Sequence, residues 1–256
     1  MPIIIKTSKE IEILREGGKR LSHVLDVVEK AVRPGISTKE LNKIAYDIVI
    51  EMGDTPAFLN YQPYGADFPY PGTICLSVND EIVHGLPKED RVLKEGDIIG
   101  LDMGIIHQGL ITDSARTVPV GKISEKVQKL LDTTKKALEV GIAAVKIGGH
   151  VGDVGYAIEH FVKPYKYGIV RELGGHGVGR EVHEDPYIPN YGTKKGVGAK
   201  WKPGMVVAIE PMLNEGKRGI FLDKDGYTYR TQDRSISAHF EHTIAITKDG
   251  IEILTK

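Results

Sequence analysis

Apolar residues recur at helical spacing early in the chain. Ile11, Leu14, Leu21, Val24, Leu25 and Val28 share one face of a helix that opens at a Thr7-x-x-Glu10 capping box and runs to about Val32. "RPGIS" breaks it, and Ser37-x-x-Glu40 opens a second helix with Leu41, Ile44, Ile48 and Val49 as its stripe. The Pro/Gly/Tyr-rich stretch "YQPYGADFPYPG" (61–72) predicts an irregular surface loop. Strands are expected over 73–78, 97–103 and 109–120, the last two joined by a turn around "HQG" (107–109), and an amphipathic helix over 124–145. Two residues are at odds with this pattern. Asp102 and Asp113 lie inside strands otherwise rich in Ile, Leu and Val. A carboxylate taken out of water without a partner costs roughly several kcal/mol.

The pattern then starts again. "AVRPG" at 31–35 resembles "AVKIG" at 144–148, each followed by an acidic-then-aliphatic helical start: Glu40-Leu41 in one, Asp153-Val154 in the other. "KEGDIIGLD" (94–102) lines up with "KPGMVVAIE" (202–210), so Asp102 matches Glu210. After each comes a further strand with an embedded acid: Asp113 in "LITDSARTVPV" and Glu241 in "HFEHTIAIT". One domain over 1–256 is expected, built from two diverged halves (about 1–122 and 123–256), each of helix–helix–strand–strand.

Composition narrows the function. The chain of 256 residues is 41% hydrophobic and 27% charged, with Lys+Arg 34 against Asp+Glu 35. That balance offers no basic stripe for nucleic acid or a membrane surface. A single cysteine, Cys75, excludes an intrachain disulfide framework and fits a reducing compartment. The first residues have no signal-peptide core, and no apolar run approaches the length of a spanning helix. A soluble, cytoplasmic protein is expected.

Strand alternation and the "HQG" turn can bring Asp102 and Asp113 to one face as cross-strand neighbours. The repeat would deliver Glu210 and Glu241 to the same seam. Four like charges in one buried place repel, and divalent cations neutralise them together. The four acids are therefore read as metal ligands. A nitrogen ligand is available in "ELGGHGVGREVH", which holds His176 and His183, and Gly174, Gly175, Gly177 and Gly179 let the backbone approach closely. His84 stands in "NDEIVHGLP". The glycines fit neither a dinucleotide fingerprint nor a P-loop, and no H-E-x-x-H is present. His23, His107, His150 and His160 are read as ordinary core or surface residues, and Trp201 as packing.

"HGLP", "GDIIGLDMGIIHQGLITDSARTVPVG", "GGHGVGREVHEDP", "GMVVAIEPM" and "DRSISAHFEHTIAIT" closely resemble the type I methionine aminopeptidases, over essentially the whole chain. The resemblance implies an α+β pita-bread fold, a curved antiparallel sheet backed by helices with internal pseudo-two-fold symmetry. It implies two divalent ions (Co, Mn, Fe or Zn). Asp102 would chelate one, His176 and Glu210 would bind the other, and Asp113 and Glu241 would bridge them. It implies removal of the N-terminal methionine from peptides and nascent chains; a monomer is expected. Glu210 would accept the proton of the attacking water, His183 would donate to the oxyanion, and His84 would assist the leaving amine. Tyr70 and Cys75 align with methionine-pocket positions, and Tyr61 or Tyr64, Phe58 and Tyr227 are further candidate walls. Asn79 and Ser237 match places where some members hold a monovalent cation. The loop at 58–75 looks longer than in many bacterial members. Val182 and His239 stand where Phe and Gln are frequent, and neither departure is expected to touch the ligands. The alternatives are a non-catalytic pita-bread binding protein and a proline-directed peptidase of the same fold.

Overall fold

Two capping boxes start the first helices where the sequence places them. In α1 (Ser8–Ala31) the Thr7 hydroxyl accepts from Glu10 N–H at 3.2 Å, and the Glu10 carboxylate accepts from Thr7 N–H at 2.7 Å. Ser37 and Glu40 repeat the arrangement at α2 (Thr38–Glu51). A second pair, α3 (Glu125–Ala144) and α4 (Gly152–Val162), follows in the other half of the chain. The computed structural model describes residues 2–256. None of its helices is long and apolar enough to cross a membrane.

Nine strands form the main sheet: β1 (Thr55–Pro56), β2 (Cys75–Val78), β4 (Ile98–His107), β5 (Leu110–Pro119), β7 (Gly175–Gly177), β8 (Glu184–Ile188), β9 (Val206–Ile209), β14 (Glu241–Thr247) and β15 (Gly250–Ile253). The order is β1-β4-β5-β14-β9-β7-β8, with β2 beside β4, β15 beside β14, and antiparallel pairing between neighbours. Two three-stranded sheets flank it. One joins β3 (Glu81–Val83), β11 (Ile220–Leu222) and β12 (Tyr229–Thr231); the other joins β6 (Gly168–Ile169), β10 (Met212–Asn214) and β13 (Ser237–His239).

The four central strands read β4-β5-β14-β9, two from each half of the chain, and the halves meet where β5 lies against β14. Alternation decides which side chains go where. In β4, Ile99, Leu101, Met103 and Ile105 pack in the same cluster as Leu21, Val24, Leu25 and Leu41 of α1 and α2. In β9 and β14, Val207, Ile209, Ile244 and Ile246 pack with Leu130, Val154 and Ile158 of α3 and α4. The other parity carries Gly100, Asp102 and Gly104 on β4, Asp113, Ala115 and Thr117 on β5, and Glu241 and Thr243 on β14. Each buried aliphatic side chain contributes about 1.5–3 kcal/mol. The helix-facing parity of β4 alone can therefore offset placing one carboxylate on the opposite face.

Few backbone pairs hold the seam, Glu241↔Ala115 and His242↔Ser114. Hydroxyls extend it. Thr243 Oγ1 donates to Asp113 O at 2.7 Å and accepts from Asp113 N–H at 3.0 Å, and Ser114 Oγ donates to Glu241 O at 2.8 Å. Thr117 Oγ1 likewise donates to His239 O at 2.8 Å.

The turn before β8 is fixed by a buried ion pair. Lys6 Nζ donates to the Glu184 carboxylate, both side chains almost fully buried, and Glu184 also accepts from Arg180 N–H at 2.7 Å. Lys6→Ala would strand the Glu184 charge. An expected loss of about 3–5 kcal/mol of folding stability follows, measurable by urea denaturation, with Lys6→Met losing less.

Candidate metal centre

The strand register assembles the acids. Asp102 lies directly opposite Ala115 on β5, and Ala115 lies opposite Glu241 on β14. The three form one row across the seam, with the smallest side chain in the middle. Asp113 faces Gly104, one same-face step from Ala115, so it is a diagonal neighbour of Asp102 rather than a direct one. Glu210 follows the last residue of β9, one residue beyond the His242↔Ile209 pair, which carries it toward Glu241. Asn190 Nδ2 donates to its carbonyl at 3.0 Å.

His176 enters from β7, squeezed between β8 and β9. A Cβ on Gly175 would lie 2.3 Å from Ala208 O, and one on Gly177 would lie 2.3 Å from Asp185 O. Only glycine permits that approach. The His176 Nδ1–H donates to Gly177 O at 2.9 Å, which leaves Nε2 as the free lone pair, 3.5 Å from Glu210 Oε1. Ligand atoms of Asp113, His176 and Glu241 lie within 4.8 Å of one another.

Burial governs the charges. It pushes the Asp113 carboxyl up to about 7. Burial, with the Asp113 charge second, raises Glu210 to about 8. Asp102 and Glu241 are driven well above the carboxylate range, first by burial and then by the neighbouring acids. Burial lowers His176 to about 3 and His84 to about 4, so both imidazoles are neutral near pH 7. The donors fit a divalent cation: four carboxylates, one neutral imidazole, and two buried oxygens, Asp113 Oδ1 and Glu241 Oε1, that no hydrogen-bond donor reaches among the described residues.

Asp102, Asp113, His176, Glu210 and Glu241 line one cavity with His84, His183, Phe58, Tyr61, Tyr70, Cys75 and Tyr227. Tyr64 stands apart; it is fully exposed and lines the adjoining outer cleft. Tyr70, Cys75 and Tyr227 form a small apolar cluster against Phe58, and Cys75 sits directly opposite Asp102 in the sheet. His84 has a left-handed backbone, φ 60, at the end of β3. Asn79 and Ser237 meet elsewhere: Ser237 N–H donates to Asn79 O at 2.9 Å.

One expectation is corrected here. His239 does not stand clear of the ligands: its buried Nε2 lies 3.6 Å from Glu210 Oε2 with no hydrogen-bond partner among the described residues. Val182 lines the cavity wall. Alternation carried the signal: His239 is two residues before Glu241 and so shares its face.

Three comparisons bear on this arrangement. The profile of metallopeptidase family M24 matches residues 12–248. Methionine aminopeptidase of Aquifex aeolicus is 45% identical over 100% of both chains, and methionine aminopeptidase 1 of Bacillus subtilis is 45% identical over 99% of both. The crystal structure of methionine aminopeptidase from Rickettsia prowazekii superposes with a TM-score of 0.94 at 39% identity, covering 99% of this chain and 100% of that one.

Proposed function

The chain belongs to metallopeptidase family M24, with the pita-bread fold of its methionine aminopeptidases, and on that premise we propose how its residues release an N-terminal methionine. The activity is that of a metal-dependent methionyl aminopeptidase. A proline-directed or non-catalytic role is not favoured, because the relatives matched along their full length are methionine aminopeptidases. The proposal extends to two divalent ions per chain, drawn from Co, Mn, Fe and Zn, in a cytoplasmic monomer acting on peptides and nascent chains. It takes 1–256 as a single catalytic domain in two pseudo-halves.

Asp102, Asp113, His176, Glu210 and Glu241 would hold the ions. A bound pair supplies Lewis acidity and a water acidified toward pKa ~7. Glu210, ionised once metal displaces its own proton, would accept a proton from the attacking water and could return it to the leaving nitrogen. His183 donates to the oxygen of the attacked carbonyl, and His84, neutral and half-buried at the cavity wall, supports the departing amine. The substrate's free amino group sits near Asp102. Its side chain enters the apolar cluster of Tyr70, Cys75 and Tyr227 alongside Phe58 and Tyr61, which adjoins Asp102 through the Cys75↔Asp102 pair. Burying a methionine there yields about 1.5–3 kcal/mol.

The observation that carries this reading is the convergence of five donor side chains and three further histidines, His84, His183 and His239, on one cavity beside an apolar pocket. The test compares wild type, His84→Ala and His183→Ala on a Met-Ala-Ser peptide and an Xaa-Pro peptide after chelation and metal return. Wild type should cleave only the methionyl peptide and recover with two ions bound. Each variant should lose roughly 10²–10³-fold in turnover while keeping its metal content. Loss of metal in His84→Ala would make it a ligand instead.

A further inference from the structure

Tyr61 begins the Pro/Gly/Tyr-rich loop, and its hydroxyl lies 3.1 Å from Nδ1 of His183, with the two rings 5.8 Å apart. From this contact we infer that Tyr61 is a positioning residue: its phenol donates to Nδ1 and holds His183 in the tautomer that carries its proton on Nε2. The inference rests on the role proposed for His183 only for its consequence in catalysis; the tautomer itself is a separate fact.

A neutral imidazole has one N–H, and the partner of one nitrogen decides where that proton resides. With Nδ1 accepting from a phenol, Nε2–H becomes the only ring proton that His183 can offer to a substrate oxygen. The opposite tautomer would leave Nε2 as a lone pair, repelled by a developing oxyanion. Burial raises the Tyr61 phenol above its ordinary value, which keeps it a donor through neutral pH.

The loop is built to hold this contact. Tyr61 N–H donates to Phe58 O at 3.0 Å, and Tyr61 O accepts from Tyr70 N–H at 2.8 Å. Tyr70 is buried, and its own hydroxyl donates to Gly85 O at 2.8 Å, next to His84. One loop therefore anchors the surroundings of both histidines. Tyr61 also presents its ring to the cavity, so its wall role and its hydroxyl role are separable by deleting one oxygen.

The experiment uses Tyr61→Phe in the zinc-loaded, diamagnetic protein, with nitrogen-labelled histidine and long-range proton–nitrogen spectra. His183 is assigned by its absence in His183→Gln. Wild type should show His183 protonated at Nε2; Tyr61→Phe should show a mixture of tautomers. In the same samples kcat on Met-Ala-Ser should fall roughly 10–100-fold, as for lost outer partners of active-site groups, with KM unchanged because the ring remains. Wild-type His183 protonated at Nδ1, or an unchanged tautomer in Tyr61→Phe, overturns the inference. A tautomer shift with unchanged kcat supports Tyr61's hold on the ring and instead overturns the oxyanion role of His183.

Discussion

Glu210→Gln lowers kcat on a methionyl peptide by roughly 10²–10⁴-fold, the range for removing a positioned proton acceptor. The amide keeps the size of the side chain and one carbonyl oxygen, so shape and part of the donor set survive. What it loses is the capacity to take a proton. Without metal, burial and then the Asp113 charge raise its carboxyl to about 8, so bound cations must displace that proton before Glu210 can accept another. Its two oxygens face different nitrogens, Oε1 toward His176 at 3.5 Å and Oε2 toward His239 at 3.6 Å. Steady-state kinetics with metal analysis on the same samples separates the roles. A variant that binds as much metal as the wild type and keeps full kcat would remove Glu210 from proton transfer. Asp113→Asn is the contrast, because its loss should appear first as missing metal.

The second large effect is on stability without metal. Protonation sets its sign. Asp113 and Glu210 have ordinary values of 3.8 and 4.5 and are raised to about 7 and about 8 in the fold. Between those values the native state holds protons that the unfolded chain has released. This stabilisation is complete at low pH and is lost as pH rises through 7 and 8. Five histidines act oppositely. Burial lowers His176 and His239 to about 3, His84 and His242 to about 4, and His183 in the same direction, from 6.5, so stability is lost as pH falls below 6.5. Chelated protein should therefore be most stable near pH ~6.5. Asp113 and Glu210 alone should cost on the order of 2–3 kcal/mol by pH ~8.5, at roughly 1.4 kcal/mol per pKa unit, and Asp102 and Glu241, driven well above the carboxylate range, add to that loss. Divalent ions replace those protons, so the gain in melting temperature on adding metal should widen from pH ~6.5 to ~8.5. A gap that stays constant would show that the acids do not bear the charge cost assigned to them.

Much of this was legible because a period-2 pattern leaves few choices for an acid. Asp102, flanked by Leu101 and Met103, can be out of the helix-packed core only on the opposite face, and the repeat extends that deduction to Glu210 and Glu241. The capping boxes at Thr7 and Ser37 were equally plain, since both partners lie within one turn. Contacts between distant segments left no such trace. Nothing in the spacing of Lys6 and Glu184, or of Tyr61 and His183, announces that they touch. The register is in the same class. Whether Asp113 lies beside Asp102 or diagonal to it depends on where the "HQG" turn closes, and one residue there changes every pairing. His239 is a different case: it stands two residues before Glu241, so alternation sets it on the acids' face whichever residue is frequent there in the family.

The seam between β5 and β14 has a consequence for the molecule's own biosynthesis. Asp102 and Asp113 emerge early, whereas Glu210 and Glu241 come from the second half, Glu241 in a late strand. While it is still being translated, the first half carries its acids with no partners to complete a coordination shell. A chain ending before β9 would lack both Glu210 and Glu241 and the strands that present them beside the first two acids.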